Sequence, residues 1–140
     1  MKRTNGLTDF NIHVKFKLSA LWAAVMFCYI YGDYFSLYVP KQIDEFISGT
    51  TRLNNPIKLF AASVMMSIPA LMVFLSLLLK PAINKWLNII FGIFFSAIMI
   101  VIAISSIESW WAFYFFLAII EILITSLVVW FACTWPKEVR

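Results

Sequence analysis

Four stretches of the chain lack the regularly spaced polar positions that an amphipathic surface helix or a half-buried strand would show: Leu18 to Val39, Leu59 to Leu79, Trp86 to Ile107 and Trp110 to Cys133. Each is close to the ~20 residues with which a helix crosses the hydrocarbon core of a bilayer. Strands of a membrane barrel would alternate apolar with polar residues, and these do not. Helix is predicted for all four, because backbone groups in lipid must find partners within their own segment. The predicted architecture is an all-α, four-helix transmembrane bundle running up-down-up-down. One domain holds the spans (18–135), between an arm (1–17) and a short tail (136–140). The first stretch follows Lys2, Arg3, Lys15 and Lys17 as a secretory signal would, but it is too long and has no small-x-small cleavage site. It is expected to remain as a span.

Polar residues punctuate these stretches, and their spacing fixes neighbours. The run from Lys80 to Lys85 is short enough to fold spans two and three into a hairpin, and Glu108 with Ser109 does the same for spans three and four. Only the first connection, Pro40 to Lys58, is long. Within it Lys41 to Ser48 is expected to form a short interfacial helix with Ile43, Phe46 and Ile47 towards lipid, ended by Gly49. Asn55 and Pro56 read as the cap and first turn of the helix that becomes span two.

Composition agrees with the pattern and removes several function classes. Of 140 residues 63% are hydrophobic and 13% charged, with a mean hydropathy of +0.90. A soluble domain carries ~25% charge. No room is left for a separate soluble catalytic domain or a nucleotide-binding βαβ unit. The eleven lysines and arginines are unevenly placed. Lys2, Arg3, Lys15, Lys17, Lys80, Lys85, Lys137 and Arg140 fall on one side of the bundle, and Lys41, Arg52 and Lys58 on the other. By the positive-inside rule both termini are expected to be cytoplasmic. This asymmetry, with attraction to anionic lipid, accounts for the net charge of +4, so the bilayer is the expected partner and nucleic acid is not. Trp86, Trp110, Trp111 and Trp135 sit at span ends as ordinary interfacial anchors.

Two acids lie inside the spans, where a charge costs at least ~2.5 kcal/mol on insertion scales. Asp33 falls about 9 Å from the outer end of span one and Glu121 about 16 Å from the outer end of span four, at ~1.5 Å per residue. If those spans are neighbours, the two differ by only about 7 Å in depth. No lysine, arginine or histidine lies within a span to neutralise them. At least one carboxyl is therefore expected to be protonated at rest, the condition for proton-coupled exchange or cation binding. The competing reading is a neutral acid hydrogen-bonded across helices as packing glue.

Helical spacing gives each span an inward face. Span one presents Ser19, Trp22, Met26, Tyr29, Asp33 and Ser36; span two Ser63, Ser67 and Ala70; span three Asn88, Gly92, Ser96, Met99, Ala103 and Ser106; span four Tyr114, Ala118, Glu121 and Thr125. The candidate proton or ligand site is accordingly Asp33, Glu121, Tyr29, Ser36, Tyr114 and Thr125. Gly92 and Ser96 form a small-xxx-small pair suited to close packing. Pro69 removes a backbone bond in mid-span and is expected to bend span two. The dense run of tyrosines around Asp33, from Tyr29 to Tyr38, is the candidate ligand mouth.

Other chemistries lack their residues. Cys28 and Cys133 lie at different depths and form no Cys-x-x-Cys, which disfavours a thiol oxidoreductase. His13 is the single histidine and falls in the arm, so haem ligation, Glu-x-x-His metal sites and a Ser/His/Asp set are all disfavoured. No cofactor is expected.

The runs Lys17-Leu-Ser-Ala-Leu-Trp and Tyr29-Ile-Tyr-Gly-Asp-Tyr-Phe-Ser-Leu-Tyr, with Ile68-Pro-Ala-Leu-Met-Val-Phe-Leu-Ser, Asn84-Lys-Trp-Leu-Asn-Ile-Ile-Phe-Gly and Glu121, resemble an uncharacterised bacterial family of small four-span membrane proteins. The resemblance covers Lys17 to Pro136 and implies the fold and a bacterial cytoplasmic membrane, with no activity attached. Family members often carry an acid before the Ile-Pro of span two, where this chain has Ser67. A more distant resemblance to DoxX-like four-span proteins rests on architecture alone. Three functions follow as expectations. The first is small-solute or proton-coupled transport, preferring a homo-oligomer because one four-helix bundle encloses little space. The second is a non-catalytic accessory or structural subunit, and the third a membrane-embedded enzyme acting on lipid or quinone. A water-filled cavity reaching Glu121 would favour transport, and an acid sealed in close packing would favour the structural role.

Overall fold

The computed structural model describes residues 11–136. Lys2, Arg3, Lys137 and Arg140, which contribute to the charge asymmetry, lie outside them. The chain forms α1 (Val14–Ser36), a short α2 (Gln42–Ser48), α3 (Pro56–Leu78), α4 (Pro81–Ser105), one 3₁₀ turn (Ser109–Trp111) and α5 (Ala112–Cys133). Four of these helices are long and apolar enough to cross a membrane. At ~1.5 Å per residue, 23 residues of α1 or α3 extend about 35 Å, beyond the ~30 Å hydrocarbon core. This is a membrane-embedded four-helix protein.

Local chemistry sets the helix ends. His13 caps α1, its Nδ1 accepting from the Lys15 amide at 3.3 Å, so the helix starts four residues before the apolar run does. Asn55 caps α3 as expected, its Oδ1 accepting from the Ile57 amide at 2.8 Å with Pro56 in the first turn. Pro81 opens α4, which draws Ala82 to Lys85 out of the expected turn and into the helix. Gly49 ends α2 in the left-handed region, φ 70°, where a Cβ would be strained. Lys41, at φ 68°, is the one non-glycine residue with positive φ among the described residues. Its backbone turns the chain from the end of α1 into α2.

The buried positions recur three and four residues apart: Val14, Leu18, Trp22, Val25, Tyr29 and Gly32 on α1; Asn84, Asn88, Gly92, Phe95, Met99 and Ala103 on α4; Ala118, Glu121, Thr125, Val128 and Ala132 on α5. Such seams suit nearly parallel helix axes. The rest of each helix exposes large apolar side chains such as Phe27, Phe94 and Leu123, as a lipid-facing surface should. Helix α1 packs on α3 and α5, and α4 packs on α5. The short Leu79–Lys80 link brings α3 and α4 together through Ser76, Asn84 and Asn88, yet α3 takes α1 as its main partner.

Helix α3 is the least buried of the four long helices and corrects one expected face. Pro69, Met72 and Ser76 point inward, whereas Ser63, Ser67 and Ala70 are exposed. Ser63 and Ser67 donate to the carbonyls of Leu59 and Val64 on their own helix, which satisfies them without a neighbour. The helix continues unbroken through Pro69.

Cross-helix hydrogen bonds concentrate at the end opposite α2. The indole Nε1 of Trp22 donates to Asn88 Oδ1 at 2.7 Å, and Asn88 Nδ2 donates to Asn84 Oδ1 at 2.7 Å and to the Asn84 carbonyl at 2.8 Å. Asn84 Nδ2 then donates to the Ser76 carbonyl at 2.6 Å. Ser19 binds the Val73 carbonyl at 2.6 Å, joining α1 to α3. Lys15 and Lys85 donate to the carbonyls of Leu77 and Cys133, neutralising the negative ends of α3 and α5. Nearer mid-span, Gly92 lets α4 and α5 touch: an added Cβ would lie 2.7 Å from Val129 Cγ2. One turn on, the hydroxyls of Ser96 and Thr125 share a 2.6 Å hydrogen bond.

Two stability predictions follow from these contacts. Asn88→Leu orphans the Trp22 indole N–H and the Asn84 Oδ1 and should cost about 1–2 kcal/mol, read as a lower unfolding midpoint in detergent. Gly92→Ala should cost about 1–3 kcal/mol by overpacking. Most of that loss should return when Val129→Ala is added, and a double variant no more stable than Gly92→Ala alone would exclude the contact as the cause.

Candidate functional site

At the α2 end the bundle opens into a cavity of about 530 Å³. Asp33 and Ser36 from α1, Ser105 and Ser106 from the end of α4, Trp111 from the 3₁₀ turn and Tyr114 from the start of α5 line it. Gln42, Glu45 and Phe46 of α2, Thr51 to Leu53 of the long connection and Glu108 also line it. Three carboxylates and one arginine, Arg52, thus face one space. A cavity of this volume falls within the range of small-molecule sites, ~300–1,000 Å³.

A second, far smaller void of about 10 Å³ lies deeper, lined by Cys28, Tyr29 and Gly32 of α1, Met99 of α4, and Tyr114, Leu117, Ala118 and Glu121 of α5. Glu121 is 3% exposed and Tyr29 7%. The Glu121 Oε2 and the Tyr29 hydroxyl are both buried without a hydrogen-bond partner. An unpartnered buried polar group costs on the order of 1–3 kcal/mol, and packing glue would have been bonded across helices. Tyr114 is half-buried and lines both spaces. Its ring lies over Gly32, where an added Cβ would come 3.3 Å from Tyr114 Cε2, so the missing side chain on α1 makes the seat for that ring.

The six candidate residues therefore divide. Tyr29, Glu121 and Tyr114 meet at the inner void, and Asp33, Ser36 and Tyr114 at the outer cavity. Asp33 of α1 is exposed and lines the outer cavity, whereas Glu121 of α5 lines the inner void, and Tyr114 borders both. Ser36 donates to the Asp33 carbonyl at 2.6 Å. Thr125 is fully buried, but its hydroxyl is engaged by Ser96 and by the Glu121 carbonyl at 2.8 Å. It joins α4 to α5 and lines neither space. Among the described residues no group of three or more His, Cys, Asp or Glu side chains is placed to hold a metal, and Cys28 and Cys133 are free thiols.

A profile for a family of unknown function, DUF6326, matches residues 7–140, nearly the entire chain. The chain belongs to DUF6326. Neither curated proteins nor solved structures give a match. The DUF6326 profile reaches beyond both ends of the expected resemblance, which ran from Lys17 to Pro136.

Sequence reasoning missed Glu45, Arg52, Glu108 and Trp111 as cavity residues. They read as loop charges and an anchor because spacing along a helix says nothing about how a long connection folds back over a bundle. Their clustering between the ends of spans was the available signal. Met99 reads as part of the inward face of span three without a role, and Cys28 only as a thiol at a different depth from Cys133.

The two spaces should differ sharply in access. In a chain whose native cysteines are replaced by alanine, Glu108→Cys and Arg52→Cys should react rapidly with a water-soluble maleimide. Glu121→Cys should react far more slowly, and equal rates would mean that the outer cavity already reaches the buried carboxyl.

Proposed function

We propose that this protein binds a small solute in the outer cavity and couples its movement to protonation of Glu121, with Asp33 and Ser36 along the approach and Tyr29 beside the carboxyl. In this reading Tyr114 separates the cavity from the carboxyl, and Thr125 holds the α5 backbone that carries it. The observation that carries the proposal is the unpartnered Glu121 oxygen, buried one aromatic ring away from a cavity of small-molecule size. A carboxyl kept in an apolar bundle without a partner is costly, and such residues mark proton and substrate paths. The run of lysines supports an up-down-up-down arrangement with both termini cytoplasmic, the outer cavity facing away from the cytoplasm. Residues 1–17 and 136–140 would then flank one domain in a bacterial cytoplasmic membrane. The exposed face of α3 is available to a second copy, as the preference for a homo-oligomer requires.

One observation favours an accessory, non-catalytic role instead. The cavity lining stops at Tyr114, and Glu121 is sealed at 3% exposure. In an accessory subunit that seal is permanent.

Proton entry into liposomes under an imposed membrane potential, read with an entrapped pH dye, separates the two. The proposal expects the purified protein to admit protons above the empty-vesicle rate and Glu121→Gln to lower that flux at least about tenfold, as loss of an essential titrating group does. Native protein and Glu121→Gln that both match empty vesicles would favour the accessory role, and undiminished flux through Glu121→Gln would remove Glu121 from the mechanism.

A further inference from the structure

The inner void is the size of one solvent molecule. A volume of about 10 Å³ accessible to a water-sized sphere is close to the least that holds a single buried water, which also needs two to four polar partners. Glu121 Oε2 and the Tyr29 hydroxyl are two such groups, both on the lining and both without a partner in the protein. They come from different helices, α5 and α1, and face the same void. A hard cation fits less well, since it takes about six oxygen ligands. Only Glu121, Tyr29 and Tyr114 bring side-chain oxygens here, and Cys28 and Met99 bring soft sulfur.

We propose that this void is a binding site for one water molecule bridging Glu121 to Tyr29, and that the Tyr114 ring, seated over Gly32, is the barrier between that water and the outer cavity. The titratable groups facing Glu121 are Cys28 and Tyr29 from α1 and Tyr114 from α5; α4 contributes Met99, which does not titrate. Asp33 lines the outer cavity and not the void, and Tyr114 is the titratable residue shared by the two spaces. A proton arriving from Asp33 is passed to the bridging water when the ring moves aside, and the water releases a proton to Glu121. Charge is conserved at each step, and no bond other than O–H forms or breaks. The use of this relay in transport rests on the proposed function above, but the water site and its barrier do not.

Infrared difference spectroscopy of the purified protein in lipid tests the site without any substrate. At neutral pH the native spectrum should contain a protonated-carboxyl C=O band that Glu121→Gln removes and Tyr29→Phe moves to higher frequency. H₂¹⁸O should shift one weakly bonded water O–H stretch, and that stretch should be missing from both variants. On transfer to D₂O the carboxyl band should shift at a measurable rate. Tyr114→Ala should raise that rate about tenfold or more, a barrier loss of about 1.4 kcal/mol, whereas Tyr114→Phe should match the native protein. The water is excluded if no ¹⁸O-sensitive stretch depends on Glu121 and Tyr29. The barrier is excluded if Tyr114→Ala exchanges at the native rate. Loss of the carboxyl band on replacing choline chloride by sodium chloride would make the occupant a sodium ion. The native protein alone provides the isotope shifts, so the site can fail even where a variant does not fold. Because none of these readouts is a flux, they also stand or fall independently of the liposome result.

Discussion

Every polar group that enters the hydrocarbon must be satisfied by the protein, because the lipid around it offers neither donor nor acceptor. The arrangement of the four long helices follows from how that demand is met. Asn88 occupies the centre of the solution. Its amide receives the indole of Trp22 from α1 and reaches Asn84 on its own helix, and Asn84 reaches the Ser76 carbonyl on α3. Three helices are thereby registered against one another by two asparagines. Apolar packing then fills in around the column of Trp22, Phe95 and Tyr29, whose rings meet edge to face at 6.0 and 6.2 Å.

Set against that rule, Glu121 is the exception. The same bundle that satisfies Asn84, Asn88, Ser76 and Thr125 leaves one carboxyl oxygen and one phenol unmatched, side by side on a void. Where a fold obeys a rule at four buried polar side chains and breaks it at two adjacent ones, the breach carries more information than the compliance. Local rules are expected to fail first at functional sites, where geometry is kept for a purpose other than stability.

How much of this the sequence revealed depended on what each residue's pattern could encode. The apolar runs announced four helices because run length against bilayer thickness is a strong constraint, and the caps at Asn55 and Gly49 were readable because they are local. The seams on α4 and α5 were largely legible for the same reason: Asn88, Gly92, Met99, Glu121 and Thr125 recur at helical spacing. The face of α3 departs from the serine spacing because a serine can satisfy itself on its own helix, as Ser63 and Ser67 do. Asn84 was assigned to a turn since Lys80 and Pro81 look like a break, although proline is at home in the first turn of a helix. The outer cavity was the least legible feature, since it depends on where a connection of almost twenty residues settles, and on Lys41 adopting a backbone conformation that its side chain disfavours.

The uneven distribution of cross-helix hydrogen bonds has a mechanical consequence. Trp22, Ser19, Lys15, Asn84 and Lys85 tie the bundle at one end, and past the Ser96–Thr125 pair no side chain of the described residues bonds from one long helix to another. Separating the helices at the tied end means breaking several directional bonds in a medium that cannot replace them. Separating them at the α2 end breaks no direct side-chain hydrogen bond and forfeits mainly dispersion contacts, which lipid tails can largely restore. The stiffness of the molecule is therefore graded along the membrane normal, like a tuning fork held at its stem, with its compliant tines on either side of Glu121.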